Sequence, residues 1–332
     1  EAGASTHPVV GSGGRLWAMR RLRALIDDLE PDIVHTTLFD SDIAGRVAGR
    51  WAQRPVVSSF VTESYGPEHV QNPEYRAWKV RAAHVADAST ARLVTRFHAV
   101  SQSSAEVMSR RLRVPRDRIE VIPRGRNPDD LGTRTPERRA RVRAALGIDD
   151  VTPLVVAAGR HYHMKGLDML VAAFGSVSRE VDKAVLAIAG RPGPATPGLV
   201  SLAAEGGVTD VVRLLGYRDD VADLMAAADV FVLPSRAEGS PGVLIEAMAL
   251  EAPVVATAIP PITEVAGADG AVAELVPVED VDAMADAIVG LLTDPSRAVR
   301  LATAGRRRFL AEYTMEVVAD RTMSFYRRVL AE

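Results

Sequence analysis

Short runs of apolar, β-branched residues alternate along this chain with segments that carry a helical pattern of apolar residues. Such alternation is typical of α/β proteins, and continuous apolar strands indicate a parallel sheet covered on both faces. In the second half we predict strands at 154–158, 184–189, 211–215, 230–233 and 253–258, with helices at 166–178, 198–206, 219–227 and 241–251. This pattern predicts a doubly wound sheet, whose ligands bind at the carboxyl ends of the strands.

The first half repeats the alternation. Strands are predicted at 32–35, 55–60, 96–100 and 119–122, with helices at 15–29, 42–51 and 75–94; tail helices are predicted at 280–292, 296–311 and 315–330. A linker is predicted at 123–150, where three prolines precede a stop at Gly147. We therefore predict two α/β domains, the first at 1–145 and the second at 146–314.

Composition excludes several classes of protein. Its 332 residues include 40 Lys and Arg against 43 Asp and Glu, so a globally basic nucleic-acid binder is not expected. Cysteine is absent, which excludes disulfides and thiolate metal sites. No apolar run reaches the roughly 18 residues of a membrane span, and the first residues lack the apolar core of a signal peptide. We therefore expect a cytoplasmic protein. Because the chain does not begin with Met, we also expect its natural N-terminus to lie upstream.

The loop after the fourth strand of the second half carries two glutamates. Pro241 suits the first position of the helix that follows, and the amides of Gly242 and Val243 are then predicted to be free to bind phosphate. Glu238 precedes this helix and Glu246 lies inside it. One carboxylate is thus placed to lie over a reacting sugar and the other to bind a ribose diol. The same spacing is also explained by a capped surface helix whose two glutamates are solvated.

The loop after the first strand of the second half carries two cations. Arg160 and Lys165 follow Gly159 and frame a turn that can clamp a diphosphate, with the arginine as a bidentate fork. The chain has only three lysines, so a lysine at this place is informative. A solvated basic turn explains the residues equally well. His161 and His163 lie in the same loop without a third ligand nearby, so no metal site is predicted.

The two loops reinforce each other. Both follow strands of one predicted sheet, where a single bound anion can contact both. The chain contains neither a G-x-G-x-x-G fingerprint nor a P-loop, so dinucleotide and P-loop nucleotide sites are not indicated.

Five sequence motifs together carry a resemblance to a known family. They are Gly159-Arg160…Lys165-Gly166; Glu238…Glu246 with Gly239-x-Pro241 between; Leu215-Gly216-Tyr217 followed by Ala228-Asp229-Val230-Phe231-Val232-Leu233-Pro234-Ser235; Ile262-Thr263-Glu264-Val265; and Pro31-Asp32-Ile33-Val34-His35. Through them the chain, from about residue 30 to 330, resembles the retaining nucleotide-sugar glycosyltransferases of family 4. The resemblance implies the GT-B fold of two facing Rossmann-like domains, acceptor-side first and donor-binding second. The last helix, at about 315–332, would cross back and complete the first domain.

The resemblance also implies the roles of the site residues. The catalytic residues would be Glu238, which contacts the donor sugar, and Arg160 and Lys165, which hold the diphosphate and stabilise the leaving nucleotide. The full implied donor-binding set is Gly159, Arg160, Lys165, Tyr217, Arg218, Ser240, Gly242, Val243 and Glu246, with Tyr217 and Arg218 near the base and Glu246 on the ribose. The family transfers the sugar with retention by front-face attack, without a bound metal. No cofactor is implied beyond the nucleoside-diphosphate sugar, of the UDP type, as co-substrate.

Three departures from the family pattern stand out. The histidine that usually follows the strand at 55–60 is replaced by Val61-Thr62-Glu63, so the candidates for its place are Thr62, Glu63 and His69. The family's P-N-G-x-D turn reads Pro123-Arg124-Gly125-Arg126-Asn127. Two strands and a Gly-Gly loop that usually precede 31–35 have no counterpart, so we expect a truncated or divergent N-terminal domain.

Segment 110–143 contains 12 arginines, five acidic residues and no lysine. Such a segment can dock an anionic membrane surface or a phosphate-bearing acceptor, although a solvated Arg-rich linker accounts for it as well. The partners expected are a nucleotide sugar and a small-molecule, glycan or lipid-linked acceptor, with no nucleic acid. Peripheral contact with the inner face of a membrane would run through 110–143.

Three other functions remain open from the sequence. A GT-B-like sugar-nucleotide epimerase would use the same donor site but form no glycosidic bond. A metal-dependent GT-A transferase would use Asp40-Ser41-Asp42, although Asp42 is better explained as the cap of the next helix. A non-catalytic sugar-nucleotide-binding subunit would bind without turnover.

Overall fold

The computed structural model describes residues 3–9, 14–65 and 76–332, which fall into two compact units. Unit 1 comprises Glu1–Pro123 and Asp320–Glu332, and unit 2 comprises Arg124–Ala319. His69 and Tyr75, a candidate site residue and the predicted start of a helix, lie outside the described residues.

Unit 1 is built on a four-stranded parallel sheet. Its elements are α1 (Gly14–Leu29), β1 (Val34–Thr37), α2 (Phe39–Trp51), β2 (Val56–Phe60), α3 (Ala77–Thr90), β3 (Arg96–Ala99), α4 (Gln102–Leu112) and β4 (Ile119–Val121). The strands lie in the order β1-β2-β3-β4, so the described strands of this unit include no reversal of order. The rings of Phe60 and Phe97 stack in its core with centroids 4.8 Å apart.

Unit 2 is a six-stranded parallel sheet flanked by helices. Its strands are β5 (Leu154–Ala158), β6 (Val185–Ala189), β7 (Val212–Gly216), β8 (Val230–Leu233), β9 (Val254–Thr257) and β10 (Glu274–Val276). Its helices are α5 (Pro128–Leu131), α6 (Pro136–Ala145), α7 (Leu167–Glu180), α8 (Thr196–Glu205), α9 (Val221–Ala227), α10 (Gly242–Ala249), α11 (Pro260–Ala266), α12 (Val281–Thr293), α13 (Pro295–Glu312) and α14 (Met315–Leu330), the last of which continues into unit 1.

The strand order β7-β6-β5-β8-β9-β10 is that of a doubly wound Rossmann sheet. The order reverses between β5 and β8, and this reversal is the switch point beside which ligands bind in such sheets. Alternate residues of these strands enter separate cores: Val156 and Phe231 pack in one cluster, Val155 and Val232 in the other. Both faces are therefore buried, as the continuous apolar runs predicted.

The predicted linker is structured and belongs to unit 2. The sequence predicts a domain boundary at 145, whereas compact unit 2 begins at Arg124. Helices α5 and α6 begin behind side-chain caps from Asn127 and Thr135. Arg138 pairs with Asp223 at 2.6 Å, so part of the Arg-rich segment serves to attach α6 to its unit.

Two of the helix starts that differ from the sequence prediction change the position of a residue singled out from the sequence. Helix α2 begins at Phe39, so Asp42 lies in its first turn and is not its cap; its buried carboxylate accepts a hydrogen bond from Thr36 Oγ1 at 2.5 Å. Helix α10 begins at Gly242, which leaves Pro241 in the capping position. Within the described part of the chain, no helix is long and apolar enough to cross a membrane.

Candidate functional site

The two loops that the sequence singled out lie side by side at the switch point of unit 2. The loop of residues 159–166 follows β5 and that of residues 234–241 follows β8. The Arg236 amide donates to the Met164 carbonyl at 2.9 Å, which joins the loops. Gly166 has φ +62°, and a Cβ there would lie 1.9 Å from the Pro234 carbonyl oxygen, so only glycine permits this contact.

Lys165 and Glu238 form an ion pair across this junction. Nζ of Lys165 lies 2.6 Å from Oε1 of Glu238, and the Ser235 hydroxyl donates to the same oxygen at 2.7 Å. The Glu238 side chain is 10% exposed and that of Lys165 27%. The pair is thus largely shielded but still reachable from solvent, as a site that exchanges ion-pair partners with a ligand must be.

Arg236 fixes the loop after β8. Its guanidinium binds Asp168 through two hydrogen bonds of 2.7 and 2.8 Å and also pairs with Glu279. The hydrogen bonds that Arg236 donates to Glu279 and Asp168 raise the pKa of its guanidinium and keep it charged. The sequence does not assign Arg236 a role, because an arginine two residues before Glu238 carries no signal of the carboxylates with which it pairs.

Arg160 lies on the same loop as Lys165 with its side chain exposed. Its guanidinium carbon is 5.1 Å from the ring centroid of Tyr162, a cation–π distance. The structure therefore brings Lys165 and Glu238 into contact and leaves Arg160 facing solvent.

Glu246 lies in α10 and pairs with a residue that the sequence did not single out. Arg126 Nε donates to Glu246 Oε1 at 2.6 Å. The prediction of free amides at the start of α10 is wrong for Gly242, because its N–H donates to the Ser240 carbonyl at 2.9 Å. The Val243 amide has no hydrogen-bond partner in the described part of the chain.

Gly190, which follows β6, joins the loop after β7 to the Gly159 loop. A Cβ on Gly190 would lie 1.8 Å from the Gly159 carbonyl oxygen, and the Gly190 amide donates to the Gly216 carbonyl at 2.7 Å. These close backbone contacts place Tyr217 at the same edge of the sheet. Its ring is 64% exposed and lies 4.7 Å from the Arg191 guanidinium. An exposed ring at this edge can stack against a nucleobase.

Arg218 is engaged by its neighbour. Its guanidinium donates two hydrogen bonds to the Asp220 carboxylate, at 2.7 and 2.5 Å. This pairing raises the pKa of Arg218 and lowers that of Asp220. Arg218 is therefore held within its own loop by Asp220.

His161 of the Gly159 loop has a structural explanation. His161 is buried, its Nδ1 lies 3.0 Å from Thr196 Oγ1, and burial lowers its pKa. No cluster of three or more potential metal ligands occurs among the described residues.

A cavity of about 450 Å³ lies elsewhere in unit 2. Its lining includes Pro153 and Pro253, which precede β5 and β9, and so it lies at the amino ends of the strands, opposite the Lys165–Glu238 pair. Its arginines, Arg134 and Arg139, donate to main-chain carbonyl oxygens. These two arginines therefore stabilise the fold of unit 2.

Unit 1 carries a smaller cavity, of about 190 Å³, beside the end of β2. Its lining includes Asp42, Asp87, Tyr65 and Thr62, one of the candidates for the family's missing histidine. Glu63, another candidate, accepts a hydrogen bond from Ser103 Oγ at 2.6 Å and is thereby used in the loop.

A hydrogen-bonded chain crosses the sheet of unit 1. His98 Nε2 lies 2.8 Å from the Ile122 carbonyl oxygen, to which it must donate, so its Nδ1 accepts from Ser59 Oγ at 2.8 Å. Ser59 in turn accepts from His35 Nε2 at 2.7 Å, and His35 Nδ1 accepts from the Tyr326 hydroxyl. These hydrogen bonds orient both imidazole rings and anchor the end of α14 to β1.

Comparison with known proteins places this chain in a family. Residues 5–130 match the family model described as Glycosyltransferase Family 4, and residues 152–294 match that described as Glycosyl transferases group 1. The D-inositol 3-phosphate glycosyltransferase of Xylanimonas cellulosilytica is 35% identical over 298 residues, 84% of this chain and 68% of that protein. The chain belongs to the family 4 glycosyltransferases.

Other relatives of this family 4 chain are more distant. The GDP-mannose-dependent monoacylated alpha-(1-6)-phosphatidylinositol monomannoside mannosyltransferase of Corynebacterium glutamicum is 32% identical over 61% of this chain and 54% of its own length. The chain thus spans between 54% and 68% of these two relatives.

A solved structure supports the fold of this family 4 chain. HepE of Anabaena in complex with UDP superposes with a TM-score of 0.82 and 19% identity, over 94% of this chain and 82% of that one. The likeness confirms the predicted GT-B-like fold class, with its two parallel-sheet units.

Proposed function

We propose that this chain catalyses transfer of a sugar from a nucleoside-diphosphate sugar to an acceptor hydroxyl, with retention at the anomeric carbon and without a bound metal. The observation that carries this proposal is the Lys165–Glu238 pair at the switch point of unit 2. Gly166 and Arg236 fix the loops that carry this cation and this carboxylate. A cation can bind the diphosphate of such a donor, and a carboxylate can accept hydrogen bonds from its sugar hydroxyls.

Each residue has one role in this proposal. Lys165 and Arg160 bind the diphosphate, Glu238 contacts the sugar hydroxyls, and Glu246 accepts from the ribose diol. Tyr217 stacks on the base. The bond from the anomeric carbon to the β-phosphate oxygen breaks, and the acceptor oxygen bonds to that carbon on the same face. The acceptor proton passes to the departing phosphate oxygen, whose growing negative charge Lys165 stabilises.

The donor and acceptor are proposed by class. HepE was solved with UDP, whereas the Corynebacterium relative is named as GDP-mannose-dependent, so both nucleotides are natural probes, with UDP the one we propose. The Xylanimonas relative is named for a cyclitol phosphate acceptor. We propose a hydroxylated ring as the acceptor and the polar cavity beside β2 as the part of unit 1 that holds it.

The test combines binding with product analysis. We expect calorimetry to detect binding of UDP or GDP. With a matching UDP- or GDP-sugar and a panel of cyclitol, cyclitol phosphate and glycoside acceptors, we expect an α-glycoside from an α-linked donor, at equal rates with and without EDTA. Product of inverted configuration, or loss of activity with EDTA, would refute the mechanism. Epimerised donor, or binding without turnover or hydrolysis, would support the alternatives instead.

A further inference from the structure

We propose that Arg126 is a third cation of the donor site, which binds the phosphate nearest the nucleoside and at the same time holds Glu246 for the ribose. The inference rests on the proposed function, since it assigns a further residue to the same nucleotide site. In the family's P-N-G-x-D turn, Arg126 occupies the variable position, so the family pattern itself gives it no role.

The backbone of Arg126 is fixed on both sides. Its amide donates to the Tyr313 carbonyl at 2.9 Å, and its carbonyl accepts from the Met315 amide at 2.8 Å. At the preceding Gly125, a Cβ would lie 3.0 Å from Met315 Cα and 3.2 Å from the Thr314 carbonyl oxygen. The side chain of Arg126 therefore starts from a defined point.

The guanidinium of Arg126 is equally well placed. Nε donates to Glu246 Oε1 at 2.6 Å, and Nη1 donates to the Gly125 carbonyl at 2.9 Å. A Cβ on Gly242 would lie only 2.2 Å from Nη2, so the guanidinium packs closely against the first residue of α10. Nη2 makes no hydrogen bond to any residue that the structure describes. Both N–H groups of Nη2 are thus available to a ligand at a defined position.

The pairing explains how Glu246 can serve a dianionic ligand. An unpaired carboxylate beside a diphosphate would repel it, because like charges at close range disfavour binding. Arg126 neutralises Glu246 through one carboxylate oxygen and leaves the other to accept from ribose hydroxyls. Its free Nη2 presents the donors that phosphate oxygens prefer. Ribose and phosphate recognition are thereby coupled through one ion pair.

A purely structural ion pair would behave differently. If Arg126 only positions Glu246, its loss weakens nucleoside and nucleotide binding to the same degree. If Arg126 contacts phosphate, its removal weakens the binding of ligands that carry phosphate more than the binding of the nucleoside. The decisive quantity is therefore a ratio of affinities across three ligands of one nucleoside.

The experiment measures calorimetric affinities of UDP, UMP and uridine, or the guanosine series if GDP is the nucleotide that binds. The proteins are wild type, Arg126→Ala, Arg126→Gln and Arg126→Lys, with Arg141→Ala as the matched control. Arg141 is an exposed arginine of the same unit, paired with Asp223. We expect Arg126→Ala and Arg126→Gln to weaken UDP and UMP about tenfold or more and uridine less than about threefold, with Arg126→Lys between and Arg141→Ala unchanged.

Each other outcome contradicts the proposal in a distinct way. If Arg126→Ala weakens the binding of all three ligands equally, Arg126 only positions Glu246. If the variant binds UDP more tightly, Arg126 competes with the ligand for Glu246. Unchanged affinities in a folded variant remove Arg126 from the site while leaving the proposed function intact. Failure of the wild type to bind any nucleotide refutes the proposed function itself. The glutamine and lysine variants keep the question answerable if the alanine variant does not fold.

Discussion

The ammonium of Lys165 lies 2.6 Å from the carboxylate of Glu238, although 73 residues separate them along the chain. The two belong to loops that follow β5 and β8, the strands on either side of the switch point. An anion that binds Lys165 must share it with Glu238 or displace it. Under the proposed function, the pair couples binding of the donor's phosphate by Lys165 to the position of the Glu238 carboxylate.

Lys165→Ala is expected to lower kcat by about 10²–10³, because a fixed cation aimed at a departing diphosphate stabilises charge that grows in the transition state. The measurement is donor turnover, or donor hydrolysis where no acceptor is found. Mg²⁺ or Mn²⁺ is not expected to restore the rate. Lys79→Ala, which removes an exposed lysine of unit 1, is the matched control and should retain wild-type turnover. A Lys165 variant with near-normal kcat would remove it from the reaction.

Glu238→Gln is expected to lower kcat about tenfold or more while the nucleoside diphosphate binds with unchanged affinity. Glutamine keeps the size of the side chain and an oxygen for Ser235, but it loses the charge that pairs with Lys165. Turnover and calorimetry on the same preparation separate the two effects. Loss of nucleoside diphosphate affinity equal to the loss of kcat would show that Glu238 acts by positioning Lys165.

The prediction of a parallel sheet in unit 2 is confirmed. The sheet could be predicted because strands covered on both faces appear in the sequence as unbroken apolar runs. The three-residue β10 escaped prediction, since so short a strand carries too few residues to show a pattern. Helices α5 and α6 were missed for another reason. Their segment is rich in arginine and lacks an apolar stripe, and it is held by caps at Asn127 and Thr135 and by the pairing of Arg138 with Asp223.

Within the site, the sequence predicted which loops meet but not which side chains pair. The switch-point argument brought Lys165 and Glu238 to one edge of a sheet, and they are in contact. The partners Arg126 and Arg236 were missed because a chain rich in arginine gives no local signal of which guanidinium is used. Their roles depend on contacts that form only on folding, such as Arg126 against Gly242.

Glu246→Ala is expected to weaken uridine, UMP and UDP alike, by about 1–3 kcal/mol, because ribose hydroxyls lose a partly buried acceptor. Equal loss across the three ligands is the signature of ribose recognition. It contrasts with the phosphate-dependent loss expected for Arg126→Ala. Calorimetry against the nucleoside alone is decisive: unchanged uridine affinity would place Glu246 away from the ribose.

Gly166→Ala is expected to destabilise unit 2 by more than about 3 kcal/mol. The left-handed backbone at φ +62° disfavours any Cβ, and this one would lie 1.9 Å from the Pro234 carbonyl oxygen, which cannot move aside freely. Thermal melting followed by circular dichroism measures the effect. Gly198→Ala is the control, because Gly198 is exposed in α8 with open space around it, and alanine there should be neutral or stabilising. Equal melting temperatures for the two variants would refute the close contact of the two loops.

Asp42 is expected to make unit 1 less stable as the pH rises from about 4 to about 6. Burial raises the pKa of Asp42 to about 6, against the opposing effects of Arg46 and the hydrogen bond from Thr36. Over that window the folded chain binds a proton that the unfolded chain has released, so the free energy of unfolding falls with rising pH.

Asp42→Asn removes this titration and leaves the other ionisable groups in place. The unfolding free energy of the wild type relative to the variant should therefore fall by about 1–3 kcal/mol between pH 4 and pH 6. Tryptophan fluorescence during urea unfolding isolates the effect, because Trp17, Trp51 and Trp78, the chain's three tryptophans, all lie in unit 1. A difference that stays flat or rises across this range would mean that Arg46, whose Nη2 lies 3.7 Å from the carboxylate, keeps Asp42 ionised throughout.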